Sequence, residues 1–212
     1  MVTVDESGRA GMQRRRTWLI GGILLVAYAL MTLVGWMGTV LSVGRLPSLL
    51  ISAAFFLFAI GIGRGGSVTA RRPLGTGALI ALALWHAGAP WLFDVIPDAA
   101  YRDPDLSAVL QMATVTGVVI ELVLAIIVVT QIGRIGVVPV PWRWAPLWVL
   151  IAVVVGQLPQ TGALQGSMAF SQEALVTINA LFAVINAAGV CFLGVLAIVL
   201  GTRREPASVV VY

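Results

Sequence analysis

Glu121 is the residue of this chain most able to do chemistry, because it is a carboxylic acid in the middle of a long apolar run. Val-Val-Ile precedes it and Leu-Val-Leu follows it. On insertion scales, a charged side chain at the centre of a membrane-spanning helix costs about 2.5–3.5 kcal/mol. We therefore expect this carboxyl group to be protonated, paired or in contact with water, as in a site that couples to protons or cations.

A second candidate is the one histidine of the chain, His86, which also lies within an apolar run. Counted at 1.5 Å per residue from the inner helix ends, His86 lies about 18 Å deep, Glu121 about 17 Å and Asn186 about 22 Å. These depths predict a polar site at one level, near the middle of a membrane. Further candidates for binding a substrate or ion there are Gln157, Asn179 and Thr114.

These polar residues also have a purely structural interpretation. Amide, hydroxyl and imidazole side chains join membrane helices through hydrogen bonds worth about 0.6 kcal/mol each. On this interpretation they hold the helices together and bind nothing. Glu121 fits it least well, because an uncharged side chain would join helices at lower cost.

Six apolar runs must position these residues. The chain is 59% hydrophobic and 10% charged, and its mean hydropathy of +1.00 is typical of integral membrane proteins. The runs predict an all-α fold, with six transmembrane helices in a single domain over residues 18–201. Residues 1–17 and 202–212 are expected to be tails, the first a candidate for disorder. The expected spans are 18–41, 47–63, 74–96, 104–132, 145–163 and 174–201.

The arginines predict the orientation of these spans. Of the 13 basic residues, all arginine, only Arg45 and Arg102 fall on one set of alternate connections, and the others fall on the second set or on the tails. Because cytoplasmic loops are rich in Lys and Arg, both termini are predicted to be cytoplasmic. Basic residues beside apolar runs favour the lipid bilayer as partner over nucleic acid. Arginine without lysine suggests a GC-rich bacterial genome, so we expect a bacterial inner membrane.

The sequence also limits the chemistry available. No stretch outside the spans exceeds about eighteen residues, which is too short for an independent soluble core. Metal-type Cys and His spacings and phosphate-binding loops do not occur, so neither a metal nor a cofactor is expected. Cys191 lies in an apolar run and is interpreted as a packing residue. No catalytic residue is predicted.

Two stripes of residues are typical of packed helix pairs, because they follow alternating four- and three-residue steps. The first lies in the first span and the second in the third span. The first comprises Tyr28, Thr32, Gly35, Thr39 and Ser42, and the second comprises Gly77, Ala81, Leu84 and Gly88.

Three functional classes remain open. The first is a small permease or transport subunit, with Glu121 as the coupling carboxylate and His86, Asn186 and Gln157 lining a site. The second is a non-catalytic accessory or assembly protein that binds other membrane proteins or further copies of itself. The third is an intramembrane enzyme with Glu121 and His86 as acid and base, which is weakest because no second carboxylate lies near the midplane. The sequence identifies no substrate and does not decide between Met1 and Met12 as the start.

Overall fold

The computed structural model describes residues 4–36, 44–63, 67–69, 72–97, 103–135, 138, 140–164 and 171–203. Within these ranges the only regular secondary structure is helix, so the predicted all-α class is confirmed. A short 3-10 turn, Val140–Trp142, precedes the fifth helix. The six α-helices are α1 (Val4–Trp36), α2 (Leu46–Ile60), α3 (Pro73–Asp94), α4 (Pro104–Ile135), α5 (Ala145–Leu164) and α6 (Gln172–Thr202).

Four helical segments in the described part of the chain are long and apolar enough to cross a membrane. A shorter apolar helix, α2, accompanies them. These lengths indicate a membrane-embedded protein, because about 20 apolar residues cross the hydrocarbon core of a bilayer. The four segments are Gly11–Trp36, Asp105–Ile135, Val140–Pro159 and Gln172–Thr202.

Local sequence signals set several helix ends. Pro47 lies in the first turn of α2, and Gly61 ends that helix with a φ of 71°. The carboxylate of Asp103 accepts a hydrogen bond from the backbone N–H of Asp105 at 3.0 Å and so caps α4. Ser171 caps α6 in the same way, through the N–H of Ala174 at 3.2 Å.

Helix α1 begins much earlier than the expected span. Residues 4–17, which were expected to form a tail, continue α1 without a break. Arginine is a good helix former and no proline occurs between Val4 and Trp36, so the charged segment extends the apolar helix. Thr17 is fully buried, and its hydroxyl oxygen accepts a hydrogen bond from the N–H of Ile62 at 2.8 Å.

The six helices pack as a ring. The order around the ring is α5, α6, α1, α2, α3 and α4, and α4 returns to α5. The contact between α1 and α6 is the most extensive of the six, and that between α4 and α5 is the smallest. Two glycines allow the close contact between α1 and α6. A Cβ on Gly22 would lie only 2.6 Å from the carbonyl oxygen of Gly194, so a larger residue would not fit there.

Neighbouring helices alternate in direction. Trp18 near the start of the apolar part of α1 contacts Gly201 at the end of α6, and this end of the bundle is called the Trp18 end. At the opposite end, Arg45 forms an ion pair with Asp94 and lies over the ring of Trp91, 3.6 Å from its centroid. We call this the Arg45 end. Both ends of the described chain therefore lie towards the Trp18 end.

The predicted packing stripe on α3 does not pack against another helix in the described part of the chain. Cβ atoms built on Gly77 and Gly88 meet no atom within 4 Å, and Leu84 is 59% exposed. The spacing of small residues sets a helix face, but it does not determine whether that face turns inwards or outwards. In the first stripe, Gly35 is exposed, and residues 39 and 42 lie outside the described ranges.

Candidate functional site

The ring of helices surrounds a cavity of about 290 Å³, which is lined by residues from all six helices. Most of its wall is aliphatic or aromatic, including Trp18 and Trp142 towards the Trp18 end. Four polar side chains, Tyr28, His86, Glu121 and Asn186, line the same cavity. His86, Glu121 and Asn186 lie near the middle of their helices, and Tyr28 lies within the apolar part of α1. The cavity therefore has a polar region at mid-bundle and an apolar region that extends towards the Trp18 end.

His86 and Glu121 form a pair within this cavity. Nε2 of His86 lies 3.5 Å from Oε1 of Glu121. The other ring nitrogen, Nδ1, lies 3.0 Å from the carbonyl oxygen of Leu82. A carbonyl oxygen only accepts hydrogen bonds, so Nδ1 carries the hydrogen and Nε2 faces the carboxyl group.

The two side chains can form a neutral pair. A carboxylic acid beside a neutral imidazole and a carboxylate beside an imidazolium both carry no net charge, and a pair without net charge costs less in an apolar environment than one unpaired ion. Carboxyl and imidazole groups are also side chains that transfer protons in proteins.

The surroundings of His86 and Glu121 hold the pair in place. The ring of Phe55 meets the imidazole edge to face, with centroids 5.6 Å apart and an interplanar angle of 89°. On α4, the buried Gly117 lies one turn before Glu121 and allows the indole of Trp85 to approach the backbone. Small residues at such contacts bring membrane helices close together.

Asn186 supplies an unused hydrogen-bond acceptor. Its side-chain oxygen, Oδ1, is buried and has no hydrogen-bond partner. A buried polar atom left without a partner costs about 1–3 kcal/mol, and Asn186 is a lining residue, so Oδ1 is a candidate acceptor for a bound donor group.

Tyr28 is the site residue that the sequence analysis did not select. Its periodic spacing placed it in a helix-packing stripe, whereas its side chain lines the cavity. The phenol also lies within electrostatic reach of the Glu121 carboxyl group. One signal was present in the sequence, since a tyrosine in the middle of an apolar span needs a partner for its hydroxyl group.

Three of the six predicted site residues lie elsewhere. Thr114 is exposed on α4, and its hydroxyl group donates to the Leu110 carbonyl oxygen at 2.9 Å. Asn179 is exposed on α6, and Gln157 on α5 does not line the cavity. All three lie about one to two turns nearer the Arg45 end than the cavity-lining residues of their own helices. Each lies on a helix that contributes to the cavity, but at a level nearer the Arg45 end than the cavity.

Neither a protein-family model nor a curated protein nor a solved structure matches this chain. The cavity and its four polar side chains are therefore the basis for a functional proposal.

Proposed function

We propose that this protein is a small membrane transport protein that binds its solute in the central cavity. Solute binding is coupled to the proton that His86 and Glu121 share. One observation carries this proposal: a carboxyl–imidazole pair with a 3.5 Å separation opens into a cavity that all six helices line. A purely structural pair would be better placed between two helices in close contact, without a cavity beside it.

The packing of the ring also supports a transport role. A transporter must open its site to each side of the membrane in turn, which requires helices that can move relative to one another. The pair with the smallest contact, α4 and α5, offers such a boundary, and α4 carries Glu121. The extensive contact between α1 and α6 provides a fixed frame against which α4 moves.

The same proposal includes six membrane crossings, with the Trp18 end in the cytoplasm of a bacterial cell. Arg134, Arg143 and Arg203 lie at helix ends on the Trp18 side, whereas Arg45 lies on the opposite side, as the positive-inside rule requires. The outward apolar side chains then contact lipid. Reporter fusions after Arg102 and after Arg134 test this topology. Tags on the same side of the membrane would rule it out.

The transport role is tested by solute-dependent proton flux in proteoliposomes that contain a trapped pH dye. The solute panel consists of primary amines, alcohols and carboxylic acids of matched size. Glu121→Gln should abolish the flux, because the amide cannot take part in proton exchange. Glu173→Gln makes the same chemical change at an exposed site in the first turn of α6 and should leave the flux intact. Equal flux in both variants would contradict the proposal.

A further inference from the structure

We infer that the cavity binds a protonated primary amine with an apolar body, whose ammonium group binds between Glu121 and Asn186. The amine exchanges with the proton that Glu121 shares with His86. The transport of this amine depends on the function proposed above, whereas its binding does not.

The charge of the cavity favours a cation. Its titratable lining residues, among those that the structure describes, are Tyr28 on α1, His86 on α3 and Glu121 on α4. Arginine does not occur among the lining residues of the described ranges, and α2, α5 and α6 contribute no titratable group to the lining. Once the shared proton leaves, the pair carries one negative charge. A cationic ligand restores neutrality, whereas an anionic ligand would double the uncompensated charge.

Hydrogen bonding narrows the ligand further. The unpartnered Oδ1 of Asn186 accepts hydrogen bonds and cannot donate them. The carboxylate of Glu121 also only accepts. A ligand group that reaches both must therefore supply donors to both, and a primary ammonium group carries three donors and no acceptor. A carboxylate ligand has only acceptors, and a quaternary ammonium group has the charge without the donors.

The apolar part of the cavity defines the remainder of the ligand. Beyond the polar region the lining is aliphatic and aromatic, with Phe58, Trp18 and Trp142 among its rings. A cavity of about 290 Å³ is near the lower limit of about 300 Å³ for small-molecule sites. One aromatic ring with a short alkyl chain suits this volume, and its burial supplies the apolar part of the binding energy.

The exchange balances in charge and in protons. One proton leaves the His86–Glu121 pair and one ammonium ion enters, so the cavity contains no net charge before or after. No covalent bond forms. Binding of the amine should therefore release about one proton per molecule bound.

The first experiment is isothermal titration calorimetry of the full-length protein in detergent with four related ligands. They are phenylbutylamine, phenylbutyltrimethylammonium, phenylbutanol and phenylpentanoic acid. The amine should bind tightest. Its affinity should be at least about tenfold higher than that of the trimethyl analogue, because the analogue cannot donate a hydrogen bond to Asn186. The acid should bind weakest. Equal affinity of all four would overturn the inference, and so would preference for the acid.

A pair of variants tests the assigned residues. Asn186→Leu should weaken amine binding about tenfold and leave binding of the trimethyl analogue nearly unchanged. Asn179→Leu makes the same change at an exposed position of α6 outside the cavity and should alter neither. Size-exclusion profiles confirm that both variants are folded. Equal loss of amine binding in both would overturn the role of Asn186. The ligand series on the unchanged protein decides the matter if either variant fails to fold.

Proton release separates this inference from the transport proposal. A pH dye in weak buffer should report release on addition of the amine to the purified protein, and no release in Glu121→Gln. Amine binding with proton release, but without amine-driven flux in proteoliposomes, would support this inference and contradict the transport role. Flux driven by another solute class, without amine binding, would overturn this inference and leave the transport role in place.

Discussion

The indole ring of Trp85 on α3 lies against the backbone of Gly117 on α4. A Cβ built on Gly117 would lie 2.9 Å from Cζ2 of that ring and 3.0 Å from Cη2. His86 follows Trp85 in the chain, and Glu121 lies one turn after Gly117. The Trp85–Gly117 contact therefore sets the distance between the two helices that carry His86 and Glu121.

Gly117→Ala should destabilise the protein and impair the pair. The added methyl group must displace a bulky ring, and overpacking of this kind costs about 1–3 kcal/mol. We expect a lower midpoint of thermal unfolding in detergent and reduced solute-dependent proton flux. Gly88→Ala is the matched control on α3, because a Cβ there meets nothing within 4 Å. An unfolding midpoint for Gly117→Ala that matches the control would show that Trp85 moves aside without cost.

Gly194→Ala should have a larger effect, because two of the three atoms that a Cβ there would contact are backbone atoms. A Cβ on Gly194 would lie 2.8 Å from the carbonyl oxygen of Gly22, and backbone cannot rotate away as a side chain can. We expect a loss of stability at or above the upper end of the about 1–3 kcal/mol range, seen as a loss of the monodisperse peak in size-exclusion chromatography. Gly77→Ala, at an open position, should retain the peak. A normal peak for Gly194→Ala would mean that α1 and α6 can separate without loss of the fold.

Much of the helical framework was predictable because the chain marks its own helix ends. Each expected span overlaps one helix of the structure, with Pro47, Pro73, Pro104 and Ser171 at or beside helix starts. These signals are local, so they need no knowledge of packing. The start of α1 was not predictable, because no local signal marks it. The charged segment continues into the apolar part without a helix breaker, so the change in composition does not coincide with the start of the helix.

The sequence predicts the level of the candidate site along the helices, but not which helix faces line it. Counting residues along helices brought His86, Glu121 and Asn186 to one level, and the structure places all three in one cavity. Rotation of each helix about its own axis cannot be counted in this way. Spacing alone therefore placed Tyr28 on a packing face. It also predicted that the glycine stripe of α3 faces another helix, whereas the stripe faces outwards. Helix rotation depends on long-range contacts such as Gly22 with Gly194, which no local pattern specifies.

Thr17→Val should destabilise the Trp18 end of the bundle. The Thr17 hydroxyl group accepts from the N–H of Ile62 at 2.8 Å and donates to the Gln13 carbonyl oxygen at 3.1 Å. Valine has the same shape but leaves the N–H after α2 without an acceptor, at a cost of about 1–3 kcal/mol. Thermal unfolding in detergent measures this loss. Thr116→Val is the control, since Thr116 is exposed and bonds only within its own helix. Equal effects of the two substitutions would argue against a buried link between α1 and the end of α2.

His86→Leu should change the reactivity of Glu121 towards dicyclohexylcarbodiimide, an apolar reagent that modifies protonated carboxyl groups within membranes. In the proposed function, the proton of the pair can move to Nε2 of His86, which lies 3.5 Å from the carboxyl oxygen. Without the imidazole, a lone carboxylate at this depth would cost about 2.5–3.5 kcal/mol, so the group keeps its proton. We therefore expect labelling of Glu121 to become several-fold faster, as measured by mass spectrometry of the modified peptide.

Glu173 provides the internal control for this labelling, because it lies exposed in the first turn of α6 and should remain unmodified in both proteins. Slower labelling of Glu121 in His86→Leu would mean that the imidazole normally keeps the carboxyl group protonated. That result would contradict the expectation that His86 takes the proton from Glu121. Phenylbutylamine should protect Glu121 in the unmodified sequence, because its ammonium group occupies the same carboxylate. Protection that persists in Asn186→Leu at the same amine concentration would place the ammonium group on Glu121 alone, since the lost amide oxygen would then have contributed nothing to binding.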